Sequence, residues 1–426
     1  MASPYPDGDR EKVASKLPPS LQKQLKIRCA ELDLDIQEAA TTAIINWRTS
    51  ARPTPAVDTS GARSFSTWLP SGLYDDFKAT CSERDIPFTQ GLAQSIQVWL
   101  DDNPSLKQPE TSCPRRIIVC NQKGGVGKTT ISAGVAEAHA EEEGVGAKCL
   151  QAFVDTLTPA ELARLNRTRE QLLAFIADSA LGGQRVLLVD YDPQIHLSKQ
   201  LDIPHIPVGE ESLVSHMAKE AEGDIRDLLV TIDDPRFAGR LKVLPGTPAG
   251  FLLDSKLAIT SVNSRGFQKE ASLERALQPL EADFDVIVID APPSLGLAMD
   301  AALYFARKRP NERAGRSGVL IPVQSEDSSA DAYEMLVDQI EDLETDLRLE
   351  IDSLGIVVNL FDSRRGFIAT SSLEEWHSLE GQQVIAVVDD LKEQRETVRL
   401  KKPLLAYVPE SKQANVMRLI AAGAGK

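Results

Sequence analysis

The residues Lys123-Gly124-Gly125-Val126-Gly127-Lys128-Thr129-Thr130 follow directly on the apolar run Ile117-Ile118-Val119-Cys120. A strand that runs into a glycine-rich loop ending in Gly-Lys-Thr is suited to holding phosphate. The glycines let successive backbone N–H groups point inward, and the helix that starts near Lys128 adds the positive end of its dipole. Lys128 is spaced to reach β- and γ-phosphates, Thr129 to put its hydroxyl on Mg²⁺, and Thr130 to hydrogen-bond a neighbouring phosphate. Gly124, Gly125, Val126 and Gly127 form the cradle of this nucleotide site. In the standard Gly-x4-Gly-Lys-Thr spacing the first glycine falls at position 122, which here is Gln122, and the loop carries an extra lysine, Lys123. Lys123 sits too early to repeat the task of Lys128.

Two further apolar runs end in carboxylates. Val186-Leu187-Leu188-Val189 leads into Asp190-Tyr191-Asp192-Pro193-Gln194, and Val286-Ile287-Val288-Ile289 leads into Asp290-Ala291-Pro292-Pro293-Ser294. Uninterrupted apolar runs of this length suit parallel strands covered on both faces, and ligands gather at the carboxyl ends of such strands. Asp290 is suited to hold Mg²⁺ through water, Asp190 to support the metal shell, and Asp192 to orient an attacking water. A single Asp ending a strand commonly caps the next helix, but three in this arrangement point to a catalytic centre.

Together these segments resemble the deviant Walker ATPases of the ParA/MinD group, ParA most closely, over about three quarters of the chain from near Arg115 to the C-terminus. The likeness includes Asn121-Gln122, Asp192-Pro193-Gln194, Ala291-Pro292-Pro293-Ser294-Leu295-Gly296 and Val319-Leu320-Ile321-Pro322-Val323-Gln324. It implies a parallel-sheet α/β P-loop NTPase that hydrolyses ATP with Mg²⁺. It also implies a catalytic role for Lys123, Lys128 and Asp192, with Lys123 crossing a nucleotide-sandwiched homodimer to the partner's phosphates. By the same resemblance the dimer binds DNA without sequence preference, a ParB-type centromere-binding protein stimulates hydrolysis, and plasmid or chromosomal cargo is moved. A cytoplasmic, nucleoid-associated protein is expected.

Length and composition agree. With 426 residues, 42% of them hydrophobic, the chain can build one large α/β core and a smaller domain beside it. Cys29, Cys81, Cys113, Cys120 and Cys149 lack paired metal spacing and read as reduced thiols. No secretory or membrane-length apolar run appears, and Val416, Leu419 and Ile420 give too short a patch for a C-terminal membrane anchor.

A formal net charge of −16 means that any DNA contact needs a local basic patch. In the ATPase part Arg364, Arg365, Arg395 and Arg399 are the expected contacts, with Lys401, Lys402, Lys412 and Arg418 nearby in sequence; a dimer would double the patch. The chain departs from its family at Asp389-Asp390-Leu391-Lys392-Glu393, where many ParA proteins are basic. It also places sixty positions between Thr130 and Asp190. That spacing implies an insertion near 143–183. There Thr158-Pro159-Ala160-Glu161 reads as a capping box, and Leu162, Leu165, Leu172, Leu173 and Ile176 continue one helix towards Gly182-Gly183, packed beside the ATPase.

The N-terminal hundred residues repeat at an offset of 52. Leu17, Pro18, Leu21, Lys26, Cys29, Glu31, Asp33, Ile44 and Trp47 recur as Leu69, Pro70, Leu73, Lys78, Cys81, Glu83, Asp85, Ile96 and Trp99. Each copy, 12–50 and 63–102, reads as a short alternating strand, a Leu-Pro break and two helices. That order resembles the ribbon-helix-helix module of the Arc, MetJ and CopG repressors, here as a single-chain pseudo-dimer, small and mostly α. Lys12, Ala14 and Lys16 with Ser64, Ser66 and Trp68 would face outward, Lys12 and Lys16 being the expected DNA contacts. Residues 1–110 carry 12 Lys and Arg against 15 Asp and Glu, so a docking or dimerisation role stands beside DNA binding. The stretch Asn103–Pro114 reads as a semi-rigid linker between this domain, 1–110, and the ATPase domain, 111–426; a similar break from Thr49 to Gly61 joins the repeats. A nucleotide-controlled repressor is the alternative to a partition switch.

Overall fold

The computed structural model describes residues 10–31, 34–49, 57, 59–103, 113–177, 179, 181–264 and 266–425. The chain divides into two compact units, Met1–Thr111 and Ser112–Lys426. Most of the stretch 103–114 and of the break 49–61 lies outside the described residues.

In the N-terminal unit the order is strand β1 (Arg10–Leu17), helices α1 (Pro19–Glu31) and α2 (Ile36–Thr49), strand β2 (Arg63–Pro70), then helices α3 (Leu73–Glu83) and α4 (Phe88–Asp102). β1 and β2 pair antiparallel along their full length, from Arg10 opposite Pro70 to Leu17 opposite Arg63. Their inner faces bury Val13, Leu17, Phe65 and Leu69. Most identities of the repeat are core positions: Leu17, Leu21, Cys29, Ile44 and Trp47 and their counterparts Leu69, Leu73, Cys81, Ile96 and Trp99 lie in one buried cluster. The period is therefore a packing constraint, because neither strand–helix–helix copy can bury its apolar face alone. The cluster extends to Phe77, whose ring lies 5.8 Å from that of Trp47.

The second unit is built on an eight-stranded sheet, β10-β9-β8-β3-β7-β4-β6-β5. The strands are β3 (Arg115–Val119), β4 (Val186–Asp190), β5 (Val230–Thr231), β6 (Leu241–Leu244), β7 (Val286–Asp290), β8 (Gly318–Val323), β9 (Ser353–Phe361) and β10 (Val384–Asp389). All neighbours are parallel except β5, which runs antiparallel to β6 at the edge. Alternate residues feed two cores. Ile117, Val119, Val186, Leu188, Val286 and Val288 enter one, shared with helices α5 (Lys128–Ala140) and Lys412–Gly423. Ile118, Leu187, Val189, Ile287 and Ile289 enter the other, covered by helices such as Leu297–Ala306. Coverage on both faces explains why these strands read as continuous apolar runs.

The insertion differs from the single helix expected there. It forms three: α6 (Val145–Thr156), α7 (Pro159–Arg164) and α8 (Arg169–Ala177). The capping box at Thr158 and Glu161 is present, but it starts only a six-residue helix. Asn166, at φ 49°, breaks the run before α8 begins, a left-handed residue that Asn tolerates better than most. Leu172 and Ile176 of α8 join the core beside Met417, Leu419 and Ile420, so the insertion is packed into the ATPase unit. Among the described residues no helix is long and apolar enough to cross a membrane.

Candidate functional site

β3 delivers the chain into the loop 120–127, and α5 starts at Lys128 with Gly127 as its N-cap at φ 90°. Gly125 is also left-handed, at φ 79°, and a methyl added at Gly124 or Gly125 would meet open space. Gly127 is different: an added Cβ would lie 2.0 Å from Asn359 Nδ2. The Asn359 amide donates to Val126 O at 2.8 Å from the carboxyl end of β9 and is buried. Asn121 ties the loop from below, donating to Pro322 O at 2.7 Å and accepting from Lys123 N at 2.9 Å. Gln324 donates to Gly125 O at 3.2 Å. The cradle is thus braced from β8 and β9 by amide side chains.

Lys128 is buried, and its ammonium donates to Lys123 O at 3.0 Å. Burial lowers its pKa, against the opposing charges of Asp290 and Asp192. Asp190 and Asp290 are register partners on β4 and β7, so both carboxylates leave the sheet on the same side. Asp290 accepts from Ser132 Oγ at 3.2 Å. Burial pushes its pKa up to about 8, the Asp190 and Asp192 charges add to the rise, and a Thr129 hydrogen bond and Lys128 oppose it. Asp190 accepts from Ser198 N at 2.8 Å and Ser198 Oγ at 2.6 Å; burial raises its pKa to about 6. Asp192 is buried and accepts from Gln194 N at 2.9 Å.

Two carboxylate oxygens in this cluster, Asp190 Oδ1 and Asp290 Oδ2, are buried without a hydrogen-bond partner. A buried carboxylate held in that way calls for a cation. No group of three or more His, Cys, Asp or Glu side chains able to hold a metal occurs among the described residues. A magnesium ion that takes one or two carboxylates and fills its octahedron with water and phosphate oxygens fits that donor set.

Lys123 lies at the rim. Its ammonium donates to Glu326 Oε2 at 3.0 Å, Ser328 Oγ at 2.7 Å and Ser329 Oγ at 3.3 Å. These partners open the helix that follows β8. Glu326 also accepts from Arg365 at 2.8 Å, and these two cations hold its pKa below the usual carboxylate range.

The expected basic patch is less uniform than its sequence suggests. Arg364, Arg365 and Arg395 are exposed, but they pair with Asp362, Glu326 and Asp390. Arg399 is exposed on the helix Lys392–Leu400, followed by exposed Lys401 and Lys402. Lys412 bonds Glu161 and Asp389. Arg418 is no surface cation: it is fully buried and forks onto Glu141 at 2.6 and 2.9 Å. In the N-terminal unit Lys12 and Lys16 are exposed on the outer face of the ribbon, together with Ala14, Ser64, Ser66 and Trp68, as the alternation predicts.

Sequence reasoning missed Asn359 and Glu326. Asn359 was findable by the rule that found the aspartates, being a polar residue that ends the buried run Ile356-Val357-Val358. Glu326 opens a helix and carries no motif, and only the fold brings it to Lys123.

The sheet, the loop and the carboxylates define a P-loop NTPase α/β fold. A family model described as an AAA domain matches residues 170–353. Among curated proteins the chain is similar to an uncharacterized protein of Mycobacterium tuberculosis, 29% identical over 252 residues, covering 59% of this chain and 60% of that one. It thus spans less than two thirds of that relative's length. It is also similar to the chromosome partitioning protein ParA of Myxococcus xanthus, 28% identical over 306 residues, covering 70% of this chain and 83% of that one. Among solved structures it shares its fold with a Cyanothece McdA variant in complex with ATP, with a TM-score of 0.50 and 15% identity, over 74% of this chain and 98% of that one.

Proposed function

We propose that this protein is an ATP-hydrolysing switch for DNA segregation, in which ATP and Mg²⁺ join two subunits and hydrolysis releases them. The observation that carries the reading is the convergence of a P-loop with Asp190, Asp192 and Asp290, two of them with unpartnered buried oxygens, while a second lysine, Lys123, stands outside the cradle. The partition protein among its relatives supports it.

In this mechanism the N–H groups of residues 124–130 and the Lys128 ammonium hold the phosphates in the place where charge builds up during transfer. Thr129 and Asp290, supported by Asp190, would hold Mg²⁺, which would supply positive charge against the phosphate oxygens. Asp192 orients the attacking water. Lys123 leaves Glu326 and reaches the partner's phosphates, so that nucleotide state becomes oligomeric state. The closed homodimer holds DNA without sequence preference through Arg364, Arg365, Arg395 and Arg399, and a ParB-type protein stimulates hydrolysis.

Nucleotide binding, turnover and sedimentation of the unaltered chain, Lys128→Ala and Lys123→Ala test this. Lys128→Ala weakens ATP binding by at least about tenfold, since it removes charge-assisted hydrogen bonds to phosphate. Lys123→Ala retains ATP but stays monomeric. Intact ATP binding in Lys128→Ala would overturn the site.

One observation favours a second reading, a repressor whose nucleotide state tunes operator occupancy. The N-terminal unit pairs its repeats through an antiparallel ribbon with Lys12 and Lys16 exposed, which supports a reading as a β-ribbon that contacts DNA. Promoter binding that survives Lys12→Ala with Lys16→Ala would remove it.

A further inference from the structure

The ribbon register sets Ala14 opposite Ser66, Lys12 opposite Trp68 and Lys16 opposite Ser64. Ala14 and Ser66 are also equivalent by the repeat offset of 52, so the pseudo-two-fold axis that relates the two copies passes between them. Rotation about it carries Lys12 onto Ser64 and Lys16 onto Trp68. The inner face respects this symmetry in kind, with Val13 matching Phe65 and Leu17 matching Leu69, all buried. The outer face breaks it at every position.

One end of the outer face therefore presents an ammonium beside an indole, and the other an ammonium beside a hydroxyl. Trp68 is 49% exposed, a large apolar surface held on a strand. Arg10, two residues before Lys12 and on the same side of β1, adds a third cation at the Trp68 end. No acidic residue occupies the alternate positions 10, 12, 14, 16, 64, 66 and 68, in a chain whose net charge is −16. That charge selection matches a polyanion.

A symmetric antiparallel ribbon imposes its own two-fold on the DNA it reads, which is why such operators are palindromic. Resting on the reading of the ribbon as a DNA contact, we infer that this one recognises a non-palindromic duplex sequence in a single orientation. Lys12 and Trp68 read one half of the site, and Lys16 and Ser64 read the other. An ammonium favours the acceptor edge of guanine, an indole offers apolar contact to a thymine methyl, and a serine hydroxyl donates or accepts with little preference. The Trp68 half is therefore the more selective.

The test is selection from a random duplex library by the full chain with ADP and excess competitor DNA, so that the nucleotide-dependent dimer does not contribute. The expected consensus lacks two-fold symmetry. Trp68→Ala erases base preference in one half only, by about tenfold or more, and leaves the other half unchanged. The quadruple variant Arg10→Ala, Ser64→Lys, Ser66→Ala, Trp68→Lys gives both strands the same outer face, since Ala62 is the repeat equivalent of Arg10, and selects a palindrome. All these positions are solvent-facing, and unchanged thermal melting confirms that each variant folds. A palindromic consensus from the unaltered chain overturns the inference and leaves DNA reading by the ribbon standing. No enriched sequence at all from the folded chain overturns both.

Discussion

The Lys123 ammonium sits 3.0 Å from one oxygen of Glu326, while the other oxygen of Glu326 takes the Arg365 guanidinium at 2.8 Å. One carboxylate thus holds both the lysine proposed to cross the dimer and an arginine proposed to meet DNA. Either cation has to give up this acid to act elsewhere. Glu326→Gln should therefore shift ATP-dependent dimerisation to lower nucleotide concentration. The pair is partly exposed, so the effect is modest, about two- to fivefold, in line with a contribution of up to about 1 kcal/mol for such bridges. Sedimentation across an ATP titration reads it, and an unchanged midpoint would show that the pairing is incidental.

Asn359 leaves no room for a side chain at Gly127. Gly127→Ala forces a Cβ towards Asn359 Nδ2 at a residue whose φ is 90°. Both effects act together, so the loop should lose its shape and nucleotide affinity should fall at least tenfold, with about 1–3 kcal/mol lost from stability. Asn359→Ala leaves Val126 O buried without a donor and costs about 1–3 kcal/mol. Calorimetric ATP titration with urea denaturation separates the two effects: a loop that binds normally in Gly127→Ala would mean that Asn359 yields freely.

Much of the candidate site's geometry was legible in sequence because its signals are local. The loop glycines follow a strand, and Asp190 and Asp290 end apolar runs that fold as register partners on β4 and β7. The ribbon was legible for the same reason, since an offset of 52 and a two-residue alternation fix which side chains face out. Contacts between distant segments were not. Nothing near Arg418 announces that it will fork onto Glu141, 277 positions earlier, and a lone arginine in a C-terminal helix reads as a surface charge. The helix break at Asn166 was likewise hidden, because Leu162, Leu165 and Leu172 keep a spacing that either one helix or two can satisfy.

His139 gives the fold a pH dependence. It lies buried near the end of α5 with Nδ1 donating to Gln184 Oε1 at 2.7 Å, and burial, helped by the Arg115 charge, lowers its pKa from 6.5 to about 3. The unfolded chain therefore binds a proton below pH 6.5 that the folded chain refuses. Stability from this group is full above pH 6.5 and declines as pH falls towards 3, by at most about 1.4 kcal/mol per unit. Asp190 and Asp290, whose pKa values are raised, act with the opposite sign over the same range, so the His139 contribution is read as a difference: between pH 4 and 8 the urea midpoint of the unaltered chain should fall relative to that of His139→Asn as pH drops below 6.5. An equal slope in the variant would assign the acid sensitivity to other groups.

Arg418 separates a structural cation from a DNA contact. Its guanidinium is fully buried, forks onto the equally buried Glu141, and also bonds Pro409 O and Asn415 Oδ1. Removing Arg418 leaves the buried Glu141 with the longer Arg236 contact at 3.3 Å in place of the two-pronged fork, so Arg418→Ala should cost about 3 kcal/mol. Arg399→Ala, on an exposed helix, should leave stability within about 0.5 kcal/mol of the unaltered chain. Its effect should appear in the salt dependence of DNA binding, where losing one phosphate contact lowers the slope of log affinity against log salt by about one unit. Chemical denaturation paired with a salt series on both variants decides this: a stable Arg418→Ala protein with weakened DNA binding would return that arginine to the surface patch.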